Sequence, residues 1–144
     1  MNIFKFGGAS INSAENIKNF VKITQNYREE MIIVVSAMGK ITNALENLAS
    51  SFFHKKSDCV SQFQQIKSFH MNILIELFTE QEHEVFEKID TLFVQLGHYL
   101  ERTPSLNYDF EYDQIVSYGE ILSTSILSLY LSKFSYPNKW IDIR

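Results

Sequence analysis

The 144 residues are 45% hydrophobic and 14% aromatic, enough to bury a core in one domain and too apolar for a disordered chain. A formal net charge of -4 and a pI near 5.5 exclude a general electrostatic grip on nucleic acid or an anionic membrane, so any anion must be held by local groups. The one cysteine, Cys59, cannot close an internal disulfide and has no metal-ligand neighbour at a recognised spacing, which fits a reducing, cytoplasmic setting.

No secretory signal precedes Ile3 to Phe6, and the longest unbroken apolar run, Met31 to Val35, is far short of the ~20 residues of a membrane-spanning helix. The first predicted element is a strand from Asn2 to Phe6, ended by Gly7 and Gly8. A helix follows, capped by Asn12 with Glu15 three residues on, and Ile17, Phe20, Val21 and Thr24 share its core face. The continuous, largely β-branched run Met31 to Val35 reads as a strand buried on both faces of a parallel sheet, which completes a βαβ unit.

Ser36 to Asn43 is then a loop, and Asn43 with Glu46 caps the next helix. An αα-hairpin comes after it. Its first helix carries Val60, Phe63, Ile66, His70, Ile73, Leu74 and Leu77. Its second, capped by Thr79 and Glu82, carries Val85, Phe86, Ile89, Leu92, Phe93, Leu96 and Leu100. Thr103-Pro104-Ser105 breaks the pattern, and Asp109 to Ser117 forms a short helix or turn. Tyr118 to Phe134 is a helix with many serines, and Trp140 to Arg144 reads as a third strand.

Three loops fall where open α/β sheets place their ligands, at the carboxyl ends of strands. In Lys5-Phe6-Gly7-Gly8-Ala9-Ser10, alternation puts Lys5 on the face opposite Phe4 and Phe6, beside a turn whose N–H groups can meet an anion. The glycine pair by itself also fits a plain strand-turn-helix, and neither GxxxxGK nor GxGxxG is present. Ser36 to Asn43 offers the Ser36 and Thr42 hydroxyls at a helix start. Ser117-Tyr118-Gly119-Glu120 sets a carboxylate beside a glycine. Glu120 there is either a solvated helix-start charge or the partner of a ligand ammonium. His54, His70, His83 and His98 show no ligand spacing, read as surface or helix residues, and leave no metal site expected.

In this order, the three loops resemble the amino-acid kinase superfamily and, within it, the aspartate kinases. Lys5 to Ser10 is similar to the opening KFGG-T/A-S motif, Val34 to Asn43 to the VVSAMxxxTN segment, and Ser117 to Glu120 to SxGE. Trp140 to Arg144 resembles the strand that follows, while Phe52 to Asp109 agrees only in helical character. The resemblance implies a three-layer αβα fold with a mainly parallel sheet, left incomplete, and a helical hairpin insertion. It also implies that residues 1–144 are the N-terminal, amino-acid-binding part of a catalytic domain, without the nucleotide-binding half and the ACT modules.

The activity implied is transfer of the γ-phosphoryl group of ATP, with Mg2+, to the β-carboxylate of L-aspartate, giving 4-aspartyl phosphate for lysine, threonine and methionine synthesis. Lys5, Gly7 and Gly8 would be catalytic and, with Ser10, would hold ATP phosphate. Ser36, Thr42 and Glu120 would bind aspartate, Glu120 through its α-ammonium. The resemblance also implies a cytoplasmic, homo-oligomeric parent protein with no nucleic-acid or membrane partner. These residues alone are expected to be inactive, so ATP-dependent aspartyl hydroxamate formation by them would contradict that expectation. Two alternatives accompany this reading: a glutamate or acetylglutamate kinase, and a non-catalytic module acting through the hairpin.

Overall fold

The computed structural model describes every residue except Arg28, Glu80 and Arg144. Strands β1, Asn2–Phe6, and β2, Met31–Val35, pair in parallel, with Ile3 opposite Ile32 and Lys5 opposite Val34. A 3-10 turn, Gly8–Ile11, and helix α1, Ala14–Gln25, connect them. After β2 come α2, Ile41–Phe53, α3, Cys59–Leu77, α4, His83–Leu100, α5, Tyr108–Val116, and α6, Tyr118–Lys133. The result is a mixed α/β fold in which helices dominate a short, unclosed parallel sheet.

Strand side chains alternate between faces, and here the two faces differ. Phe4, Phe6, Ile33 and Val35 turn inward, and the Phe6 ring meets Phe20 of α1 edge-on at 4.7 Å. Ile3, Lys5, Ile32 and Val34 are exposed. The expectation that Met31 to Val35 is buried on both faces therefore fails, because among the described residues no layer covers the second face. Among the described residues the third strand is also absent. Trp140 instead donates its indole N–H to Thr124 Oγ1 at 2.8 Å, which ties residues 140–143 to α6. Arg144, the end of that expected strand, lies outside the described residues.

Helix α1 buries Ile17, Phe20, Val21 and Thr24 as its periodicity demands. Its cap is Ser13, not Asn12: Ser13 is extended, with φ -152°, and its Oγ accepts the Asn16 N–H at 3.2 Å. The Asn12 side chain is taken up by the Asn16 amide at 2.8 Å. Helix α2 begins before Asn43, which was expected to cap it. Gly39, at φ +53°, turns the chain one residue ahead of Lys40, so Thr42 and Asn43 lie within the first turn.

The hairpin forms as the spacing requires. Phe63 of α3 packs edge-on against Phe93 of α4, and Lys67 pairs with Asp90 at 2.6 Å. Val60 is the exception to the stripe, standing in the first turn of α3 with 71% of its surface exposed. Of the surface and helix alternatives, His70 takes the helix, on the core stripe of α3 where its spacing puts it. It is fully buried, its Nδ1–H donates to Ile66 O at 2.8 Å, and its Nε2 has no partner among the described residues. Burial holds its pKa down, to about 4. Lys133 of α6 fastens the turn between α3 and α4, reaching Leu77 O and the Glu82 carboxylate, which also accepts the Thr79 N–H.

Helix α6 is the most enclosed element, with Ile121, Leu122, Ile126, Leu127, Tyr130 and Leu131 all buried. Each such side chain contributes about 2 kcal/mol by leaving water. Residues 108–133 are together long and apolar enough to cross a membrane by length and composition. Half of its apolar 18-residue window is buried inside the fold, as in the core helix of a globular domain.

Candidate functional site

The three loops singled out by sequence meet at the carboxyl ends of β1 and β2. Ser36 N–H donates to Phe6 O at 3.1 Å, which carries the strand pairing one step beyond β2, and Gly39 N–H donates to Gly8 O at 3.0 Å. The first two loops thus cross backbone to backbone. Gly8 makes the crossing possible, since a Cβ there would lie 2.3 Å from Ala37 O and 3.1 Å from Gly39 N. The third loop arrives just as closely. A Cβ on Gly119 would fall 2.7 Å from Ala37 Cβ and 3.2 Å from Leu45 Cδ1.

Polar contacts complete the junction. Glu120 Oε1 accepts the Ala37 N–H at 3.1 Å, and Ser123 Oγ donates to Ser36 O at 3.0 Å. Ala37, which sequence reasoning did not single out, is therefore the pivot: its N–H binds Glu120, its carbonyl backs onto Gly8, and its methyl faces Gly119. A buried alanine after a β-branched strand carries no sequence signal of such a role.

Around the pivot, the site residues keep unused polar groups. Lys5 is exposed on the open sheet face and makes no hydrogen bond or ion pair with a described residue. Gly7 is extended, and a Cβ on it would meet nothing within 4 Å. The Gly7 and Gly8 N–H groups have no partner among the described residues, whereas the Ser10 N–H is used by Gly7 O at 3.0 Å. The Ser36 and Thr42 hydroxyls, both half-buried, are likewise unbonded within the described residues. Glu120 is exposed, and among the described residues only one of its carboxylate oxygens is used. Beside it opens a cleft of about 660 Å³ whose lining includes Tyr112, Asp113, Ser117, Glu120 and Asp142.

Behind the cleft, two long-range carboxylate contacts that the sequence did not signal fix α5. Tyr112 donates its hydroxyl to Glu46 of α2 at 2.6 Å, and that carboxylate holds the Tyr112 proton above the usual tyrosine range. Glu111, almost wholly buried, accepts from Tyr99 at 2.6 Å and from Ser105 N–H at 2.7 Å, with Arg102 at 3.6 Å. Burial alone would raise its carboxyl. The Tyr99 and Ser105 bonds and Arg102 outweigh it and leave Glu111 below the ordinary carboxylate range. Tyr99, desolvated and bonded to that carboxylate, is pushed up to about 12.

Other chemistry finds less support. Burial and the neighbouring Asp58 raise the half-buried Cys59 thiol, which disfavours the nucleophilic thiolate. Among the described residues, no three His, Cys, Asp or Glu side chains could hold a metal ion together. What the junction can do is bind charge of both signs. Paired N–H groups and a lysine suit an anion, and a carboxylate anchored by one oxygen can accept from an ammonium with the other.

Comparison with known proteins agrees in sequence and in fold. The profile of the Amino acid kinase family matches residues 1–144. Aspartokinase 2, chloroplastic, of Arabidopsis thaliana is 31% identical over 97% of this chain and 26% of its own length. An aspartokinase of Chlamydia trachomatis is 28% identical over 99% of the chain and 30% of its own length. Aspartokinase III of E. coli, in complex with lysine and aspartate, superposes over the whole chain with a TM-score of 0.86. Its sequence identity is 24%, and 32% of that structure is covered. The chain spans about a quarter to a third of these relatives. With its entire length matched by the family profile and its fold shared, the chain belongs to the amino acid kinase family.

Proposed function

We propose that the chain forms the amino-acid-binding part of an aspartate kinase catalytic domain, serving transfer of the γ-phosphoryl group of ATP to the β-carboxylate of L-aspartate. The observation that carries this reading is the convergence of Gly8, Ser36 and Glu120 on Ala37, which sets an anion-binding corner beside an anchored carboxylate. Lys5 and the free Gly7 and Gly8 N–H groups take phosphoryl oxygens and, with charge developing there, stabilise the transition state. Ser10 contributes its hydroxyl; Ser36 and Thr42 donate theirs to the aspartate carboxylates. Glu120 takes the α-ammonium with its unused oxygen and so distinguishes an amino acid from a plain dicarboxylate. The acceptor carboxylate is ionised at neutral pH and needs no base, so the chain works by positioning and electrostatics.

The unpartnered N–H groups and open side of Gly7 fit a phosphate. A magnesium ion, which the family implies with ATP, has no ligand set among the described residues. A homo-oligomeric parent protein belongs to the same reading. A cytoplasmic setting fits the single cysteine, although the plant relatives are chloroplastic.

Amide chemical-shift titration of the isotopically labelled chain tests the assignment. L-Aspartate is expected to shift Ala37, Thr42 and Glu120, and succinate, which lacks the ammonium, to bind about tenfold more weakly. Glu120→Gln should erase that difference. L-Glutamate binding as tightly as L-aspartate would overturn the choice of substrate.

A further inference from the structure

One fully buried polar side chain lies beneath the Ala37 junction and is not among the proposed substrate contacts. Ser123 stands one turn beyond Glu120 on α6 and has no exposed surface. A serine is a poor choice for a buried helical position: its hydroxyl must find a partner, and alanine would fill nearly the same volume with a better helix propensity. Its Oγ lies 3.0 Å from Ser36 O and 3.1 Å from Glu120 O. One hydroxyl carries one proton. Glu120 O already accepts the Thr124 hydroxyl at 2.6 Å, whereas no other described residue donates to Ser36 O, so the Ser123 proton belongs to Ser36 O.

That carbonyl and the Ala37 N–H are the two ends of a single peptide group. The group is trans, so its ends point in opposite directions. Ser123 holds the carbonyl end at 3.0 Å, and Glu120 Oε1 holds the N–H end at 3.1 Å. Residues three apart share one helix face, so a single turn of α6 grips the peptide plane from both sides. With its carbonyl held, the plane cannot rotate its N–H away from Glu120. Bonds at the two ends of one amide also polarise it in the same sense, and each strengthens the other.

We propose that Ser123 is a positioning residue for substrate selectivity: by fixing the Ser36–Ala37 peptide it fixes the Glu120 carboxylate, whose second oxygen is left to meet the α-ammonium of an amino acid. The inference rests on the reading of Glu120 as the ammonium partner. Ser123 itself touches no ligand and acts through the peptide. Without its hydroxyl, the Glu120 carboxylate has to be ordered at the moment of binding, and that cost falls on ligands that carry an ammonium more than on those that do not.

The test compares the labelled full chain with Ser123→Ala, which deletes the donor, and Ser123→Cys, which keeps a weak one. Ser123→Ala is expected to weaken L-aspartate about tenfold and succinate about twofold, so that the parent chain's preference of about tenfold falls to about twofold. Ser123→Cys should fall between the two. In both variants, amide hydrogen exchange at Ala37 should quicken about tenfold relative to Leu74 in the core of α3. A role confined to stability would instead quicken the slow amides alike and leave the ligand preference intact. Ala37 exchange that keeps pace with Leu74 in both variants overturns the grip on the peptide, whatever the ligands do. Variants that retain the parent's full preference for L-aspartate overturn the role in selectivity while leaving Glu120 in place. A parent chain with no preference overturns the reading of Glu120, and the selectivity role of Ser123 falls with it.

Discussion

Around Ala37, three chain segments are joined mainly through their backbones, with glycines where they cross and 3.0 to 3.1 Å hydrogen bonds fastening them. In the α3–α4 hairpin the joints are side chains: Phe63 on Phe93, His70 against Phe93, Lys67 with Asp90. The two regions should therefore fail in opposite ways. A backbone junction has no room for added atoms, whereas a packed side-chain seam suffers when atoms are removed. That contrast also suits their roles, because a site that must hold a phosphoryl group within tenths of an ångström gains from groups with no rotamer freedom.

Four measurements would break or sharpen the contrast. Phe93→Ala should have the largest effect, removing about 4 kcal/mol of stability by urea denaturation, because it empties the centre of the hairpin seam. Acidification comes next. His70 is held neutral, with a pKa of about 4 against 6.5 unfolded, so its contribution is complete above about pH 6.5 and is lost as the pH falls toward 4. The total is about 3 kcal/mol. Glu82 and Glu111 have lowered carboxyl pKa values, so their stabilisation is lost only below the ordinary carboxylate range. A stability profile flat between pH 6.5 and 5 would therefore refute the role of His70 specifically.

Gly8→Ala should cost about 2 kcal/mol, because its new Cβ meets a backbone oxygen that cannot swing aside. The same substitution at Gly97, where the nearest neighbour to an added Cβ is the Phe63 ring at 3.6 Å, should be tolerated. Equal costs at the two glycines would end the distinction between the regions. The smallest effect is expected for Glu120→Ala, about 1 kcal/mol from the lost bond to Ala37 N–H, with a much larger loss in L-aspartate affinity. A loss of stability without a loss of affinity would make Glu120 a structural tie only.

Strands and helix faces were legible because they rest on periodicity: Asn2 to Phe6, Met31 to Val35 and the Ile17-Phe20-Val21-Thr24 face all stand where the pattern puts them. Helix starts were less so. Asn12 and Ser13 both suit a cap, and only the extended backbone at Ser13 decides between them; before α2, the positive φ of Gly39 overrides the Asn43 signal. The site loops were recognisable from their residue order, but their meeting point was not. Ala37, Glu46 with Tyr112, and Glu111 with Tyr99 act through partners far along the chain or through the backbone, and neither leaves a local pattern. The third strand failed for a related reason. Alternation in Trp140 to Ile143 shows that a segment can pair, but pairing also needs a neighbouring strand, and Trp140 is bonded to α6.

The contact between Ala37 and Gly119 has a consequence for how sequences of this fold can vary. The space between the loop after β2 and the start of α6 admits one methyl group, and a methyl supplied from Gly119 instead would need only the Leu45 Cδ1 methyl, 3.2 Å away, to give by a few tenths of an ångström. Gly119→Ala alone should be disruptive and Ala37→Gly alone should leave a gap. Made together, they would hand the methyl from one segment to the other and recover much of the loss. The two positions, 82 residues apart, would then behave as a single packing choice.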